Sequence, residues 1–143
     1  MNKRVWLKIK GLHNAETAEE DTVEVIYPGT YHKRDGKHFI KYEEHVEGSE
    51  EINNNLIKIS SDEVEIINRG QAAYQMTFTR GRKNMTYYAT PFGGINMGVD
   101  TYSLDLTETE DKILIDIRYG LEINLDYISQ CRVGIEIESV EDK

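Results

Sequence analysis

Apolar and polar residues alternate with a period of two along almost the whole chain, and nearly every alternating run ends in a turn signal. The clearest run sets Ile113, Ile115, Ile117, Tyr119, Leu121 and Ile123 against Leu114, Asp116, Arg118, Gly120 and Glu122. That is the signature of a strand with one buried and one wet face. The pattern predicts ten strands, at residues 4–12, 21–33, 37–45, 54–60, 63–69, 71–80, 84–91, 95–107, 112–123 and 128–139, with no helical stretch between them. Asp35-Gly36 is the strongest turn, because both residues tolerate the positive φ of a two-residue hairpin. Ser61-Asp62, Arg69-Gly70, Gly81-Arg82 and Gly93-Gly94 read as further turns.

Short connections make sequential strands antiparallel neighbours, so the simplest topology is an up-and-down meander. Ten strands left flat would expose two long edges and an apolar face; closing into a barrel removes both. The expected fold is therefore an all-β, up-and-down antiparallel barrel forming one domain over residues 1–143, with a two-sheet sandwich as the alternative. Two irregularities stand out. Pro28-Gly29 falls inside the second strand, where proline cannot donate to a ladder and glycine permits a bulge or bend. Ile95, Met97 and Val99 share one phase while Tyr102, Leu104 and Leu106 share the other, so a bulge is expected near Asp100 and Thr101. The two long polar connections, His13 to Glu20 and His45 to Asn53, belong at the same end of such a barrel.

Composition narrows the function classes. With 26 acidic against 17 basic residues, the net charge of −9 disfavours nucleic acid or an anionic membrane as partner. The single cysteine, Cys131, excludes an intramolecular disulfide framework and fits a reducing, cytoplasmic setting. Cys131 opens the inward series Cys131, Val133, Ile135, Ile137 and reads as a small core hydrophobe. Lys8 and Lys10 interrupt the apolar run Val5, Trp6, Leu7, leaving no signal-peptide core or membrane span.

The order of several motifs resembles a known family. Gly29, Tyr31, Gly36, Tyr42 and Glu44 stand in the block PGTYHKRDGKHFIKYEE, followed by Arg69-Gly70, Tyr88, Phe92-Gly93 and Thr101. Together they resemble the YwiB-like family of uncharacterised small Gram-positive bacterial proteins, over nearly the whole chain. The resemblance implies a calycin-type β-barrel, akin to lipocalins and fatty-acid-binding proteins, with an internal cavity. It carries no catalytic residue onto this sequence, because the family has none assigned.

Nine tyrosines against three phenylalanines and one tryptophan suit a pocket with aromatic walls and a few placed polar groups. Strand phase sets Tyr74, Met76 and Phe78 on one face of the sixth strand and Met85, Tyr87 and Ala89 on one face of the seventh, with Tyr88 opposite. Tyr119 continues the inward isoleucines of the ninth. The expected ligand walls are Tyr74, Met76, Met85, Tyr87, Tyr88, Met97 and Tyr119, and ordinary core packing is the competing account.

Two charged ends are further candidates. Glu16, Glu19, Glu20 and Asp21 would meet Glu43, Glu44, Glu47, Glu50 and Glu51 near His13 and His45, but the spacing fits neither a calcium loop nor a zinc site. At the opposite end Lys33, Arg34 and Lys37 gather with Arg80, Arg82 and Lys83, a patch suited to an anionic head group or an acidic protein surface. His32 and His38 have no serine or cysteine motif beside them, so the reading leans away from an enzyme. No cofactor or metal is expected. The expected function is a non-catalytic cytoplasmic barrel holding a small apolar or amphipathic ligand inside. The alternative is a protein-interaction module, a homodimer among its forms, using outward apolar residues such as Trp6, Ile26 and Ile40.

Overall fold

The structure, a computed structural model, describes residues 3–14, 24–45, 48, 50–69, 74–90 and 93–140; within these the side chains of 12–14, 74 and 88–90 lie outside the description. Ten strands follow in chain order: β1 (Arg4–Asn14), β2 (Glu24–Arg34), β3 (Lys37–His45), β4 (Ile52–Ile59), β5 (Glu63–Asn68), β6 (Tyr74–Thr79), β7 (Lys83–Thr90), β8 (Gly93–Glu108), β9 (Lys112–Ile123) and β10 (Asp126–Ser139). All pair antiparallel in one sheet, ordered β6-β5-β4-β3-β2-β1-β10-β9-β8-β7. The expected meander is therefore present, with β1 laddered to β10. The result is a nearly closed up-and-down barrel, consistent with the calycin-like fold.

The incomplete closure lies between β6 and β7, which are consecutive in the chain but have no ladder between them. The Asn84 carboxamide bridges them, donating to the Thr77 carbonyl at 3.1 Å and to Thr79 Oγ1 at 2.8 Å. The β6–β7 turn also docks on β8. Gly81 N–H donates to the Thr101 carbonyl and Thr101 N–H to the Arg82 carbonyl, both at 3.1 Å. Diverting Thr101's backbone to that turn accounts for the register shift between Thr101 and Ser103 against β9, where the phase change in the sequence places it.

Inward residues of β1, β3–β6 and β8–β10 fill the barrel. Leu7, Ile40, Ile57, Ile59, Val64, Phe78, Ile113, Ile117, Val133 and Ile137 are completely inaccessible, and Cys131 is buried with its series. Burying one such aliphatic or aromatic side chain contributes on the order of 1.5–3 kcal/mol. Phe78 and Tyr119 meet edge to face with centroids 4.9 Å apart, a favoured aromatic geometry. The Asp35-Gly36 hairpin forms as expected, with φ of 52° and 77°. A second hairpin turn at Asn124-Leu125, φ 51° and 72°, joins β9 to β10. Gly93-Gly94 belongs to the start of β8 rather than forming a turn.

Two expectations about phase are corrected. Ile40 faces the core, in step with His38 and Tyr42, and belongs to no outward patch. Met85 and Tyr87 are 50% and 68% exposed, so they lie on the outer face of β7 and cannot line the interior. The register explains why: Met85 stands opposite Gly98, and Tyr87 opposite Asn96 beside Gly94. A Cβ on Gly94 would collide with the Tyr87 ring, and one on Gly98 would come within 3.0 Å of Met85 Sδ. These side chains cover glycine backbone on the neighbouring strand, a cross-strand role that alternation alone does not reveal.

Candidate functional site

β2 changes partner partway along its length. Glu24–Thr30 pair with β1, whereas only Gly29–Arg34 pair with β3. β3 meanwhile runs on, paired to β4, as far as His45. The stretch Glu24–Pro28 and the stretch Glu43–His45 therefore face each other with no ladder between them, leaving a seam in the barrel wall. It opens at the dipeptide that the sequence marks as irregular. Pro28 has no N–H to donate, and a Cβ on Gly29 would stand only 3.0 Å from the Lys41 carbonyl. Glycine thus permits the close approach at which β2 leaves β3.

Side chains span the seam. Tyr27 Oη donates to Glu44 Oε2 at 3.1 Å, and the Tyr27 and Tyr42 rings lie 4.8 Å apart at 39°. An open cavity of about 1540 Å³ runs along β1–β4 here. Its lining combines outward Trp6, Ile26, Pro28, Phe39 and Leu56 with inward Tyr27, Tyr42, Glu44 and Asn55. Asn55 is only 5% exposed, and its Oδ1 has no hydrogen-bond partner among the described residues. A buried, unsatisfied carbonyl oxygen carries a cost of roughly 1–3 kcal/mol, which a ligand's donor or a bound water relieves. Apolar side chains set beside convergent polar groups are the ordinary chemistry of a small-molecule pocket.

The expected ligand walls are not brought together. Met76 and Tyr119 are buried in the packed core, and Met97 packs against it. Burial is the leading reason that the Tyr119 hydroxyl's pKa is pushed well above that of an ordinary phenol, with Cys131 adding to it; it is a core phenol. Met85 and Tyr87 are outside, as corrected above, and the side chains of Tyr74 and Tyr88 lie outside the described residues.

A second polar cluster, missed in the sequence, closes the opposite end of the barrel. His38 on β3 receives a hydrogen bond from the Tyr31 hydroxyl at its Nδ1, 2.6 Å. Its Nε2 lies 2.9 Å from Glu108 Oε1 on β8. In neutral His38, Nδ1 accepts from the phenol while Nε2–H donates to the carboxylate, satisfying all three groups. Burial depresses the His38 pKa, with Glu108 opposing and Lys33 assisting. Burial, reinforced by Glu108, raises that of Tyr31. Both shifts favour this neutral arrangement. The legible signal was phase: Glu108 continues the inward series Leu104, Leu106, and Tyr31 and His38 are diagonal neighbours across the hairpin.

Of the charged ends, most of the first acidic loop lies outside the described residues. Among the described residues no group of three or more His, Cys, Asp or Glu side chains is placed to hold a metal ion. At the basic end the Arg80 guanidinium donates to the Leu104 carbonyl, and Lys83 pairs with Glu122 at 2.8 Å. Trp6 and Ile26 are exposed, at 48% and 53%, and are near neighbours on the outer face of the β1–β2 ladder. Among the described residues no helix is long and apolar enough to cross a membrane.

The barrel resembles the solved crystal structure of the ywiB protein from Bacillus subtilis, with a TM-score of 0.78 and 19% sequence identity over 97% of this chain and 93% of that one. At that identity the likeness is one of fold. No curated protein matches the sequence. The sequence profile of a domain of unknown function, DUF1934, matches residues 7–135. That match spans most of the chain and agrees with the motif order from Gly29 to Thr101, so the chain belongs to the DUF1934, YwiB-like family.

Proposed function

We propose that this protein is a non-catalytic binding barrel that holds a small, partly apolar molecule at the β2–β3 seam rather than at the barrel centre. The observation that carries the reading is the buried Asn55 Oδ1, without a hydrogen-bond partner among the described residues, on the lining of an open cavity at a break in the wall. Trp6, Ile26 and Pro28 offer an apolar bed outside the break, and Tyr27, Tyr42 and Asn55 offer polar groups within it. The filled core argues for this displacement, since side chains with no exposure leave the centre to packing. The lone, buried Cys131 supports work in the reducing cytoplasm.

Native mass spectrometry of freshly purified protein, compared with the denatured mass, tests the proposal. A reproducible extra mass that is lost on denaturation, and absent in a folded Asn55→Leu variant, is the expected result. A second reading is favoured by the adjacent exposed Trp6 and Ile26: the outer face of β1–β2 docks a protein partner or a second copy. A discrete dimer with no extra mass, dispersed by Trp6→Ser, supports that reading and overturns the first.

A further inference from the structure

Resting on that reading, we propose that the seam cavity selects an anion: a molecule with a carboxylate or phosphate head and an apolar body. The chain as a whole is acidic, 26 carboxylates to 17 cations, yet the cavity inverts the balance. Arg4, Arg34, Lys41, Lys58 and Arg69 line it against Glu43 and Glu44 alone. On a protein of net charge −9 this is a local reversal of sign, and a concave basic surface focuses potential on an incoming anion.

Register gives the head group a place. Arg4 pairs with Thr30, Thr30 with Lys41, and Lys41 with Leu56, so these four form one row across four strands. Arg4 and Lys41 flank Thr30 about 10 Å apart, two strand spacings. That leaves the exposed Thr30 hydroxyl as a donor between two long cationic side chains. One step toward the open end, the next row holds Trp6 and Pro28 and then the seam. An anion over Thr30 would lay its apolar body on Trp6 and Ile26 with its far end at the seam.

Elsewhere on the outer surface several cations are ion-paired, as Arg34 of the cavity is with Asp35 at 3.9 Å. Lys8 and Lys112 both pair with Glu136 at 3.3 Å, Lys83 with Glu122, and Arg132 with Asp116 at 2.9 Å. Lys41 and Lys58 have no carboxylate within ion-pair distance among the described residues. Glu65, opposite Lys58 in the ladder, is engaged by the Gln75 carboxamide at 3.1 Å. The cavity thus holds ammonium groups that the fold leaves to solvent.

Trp6 is the chain's sole tryptophan, so its fluorescence reports on the cavity directly. Octanoate, octyl phosphate and the neutral control octanol are titrated against the full chain in low salt. The proposal expects at least one octyl anion to saturate the Trp6 signal at roughly tenfold lower concentration than octanol, the preference collapsing near about 0.5 M salt. Which anion is preferred separates carboxylate from phosphate recognition. Lys41→Glu should abolish the preference and Lys41→Gln reduce it, with circular dichroism confirming the barrel in both. Equal responses to anion and octanol overturn anion selection while leaving the binding reading intact. An unchanged preference in Lys41→Glu also overturns it. No response to any of the three overturns the binding reading itself.

Discussion

The two sides of this barrel solve the same problem in opposite ways. On the side built from β8, β9, β10 and β1, each interior strand is laddered to both neighbours over most of its length. The inner faces interdigitate at zero or near-zero exposure, and the outer faces carry paired charges such as Lys112–Glu136 and Arg132–Asp116. On the side built from β2 and β3 the ladder stops at Gly29, and the wall continues as side chains, Tyr27 on Tyr42 and Glu44. Backbone hydrogen bonds hold one side closed, and a seam of tyrosines and a carboxylate holds the other. The first side is scaffold; adaptable chemistry is concentrated on the second.

The largest loss is expected in the core. Phe78→Ala removes an inaccessible ring packed edge-on against Tyr119 and is expected to cost about 3–5 kcal/mol, measured by urea denaturation. Truncations at the seam should cost much less; a loss below about 1 kcal/mol for Phe78→Ala, whose ring on β6 packs against β9, would mean that core packing against the scaffold side is not what holds the barrel together.

The clasp at the closed end comes next. Tyr31→Phe leaves buried His38 Nδ1 without its donor and should cost about 1–3 kcal/mol. The same cluster sets a pH dependence. The folded state holds His38 below the ordinary imidazole pKa, so the unfolded chain binds the extra proton more readily. Stability is therefore fully present above the unfolded value and falls as pH drops from about 7 toward 5. A His38→Gln variant should lose this part of the slope. Glu136 adds to the same trend at lower pH: burial raises its pKa, but hydrogen bonds from Lys8 and Lys112 bring it below the usual carboxylate range. Its contribution is lost as that carboxylate protonates.

Smaller effects sharpen the contrast. Asn55→Leu removes an unsatisfied polar group, and its stability should change by less than about 1 kcal/mol even as bound ligand disappears. A large destabilisation would show Asn55 to be structural. Smallest of all, Arg132→Ala deletes a bidentate but solvent-exposed pair with Asp116. It should register at below about 1 kcal/mol, with a double-mutant cycle isolating the pair.

The scaffold side was the more legible in the sequence. β9 spans Lys112–Ile123, as its alternation implies, because one face is buried along most of its length and each residue's phase is fixed by that contact. The β8 bulge showed as a phase change for the same reason. Legibility fails where a side chain answers to something other than the core. Met85 and Tyr87 cover Gly98 and Gly94 on the next strand, so hydrophobicity there does not mean inward. His38 is polar yet buried by Tyr31 and Glu108, which disguised the phase of Ile40. The Asn124-Leu125 turn places leucine at φ 72°, against its steric preference. Pro28-Gly29 was visible as an irregularity, but the seam was not, because it depends on which neighbour each half of β2 chooses across the sheet.

Hydrogen exchange resolved by peptide, with and without saturating octanoate, tests whether the seam is the binding site. Binding at the seam should add protection confined to β1 around Trp6, to Val25–Thr30 of β2 and to Lys41–His45 of β3, with β8–β10 unchanged. Protection centred instead on Met97, Tyr119 and their strands would return the ligand to the barrel interior and contradict the account.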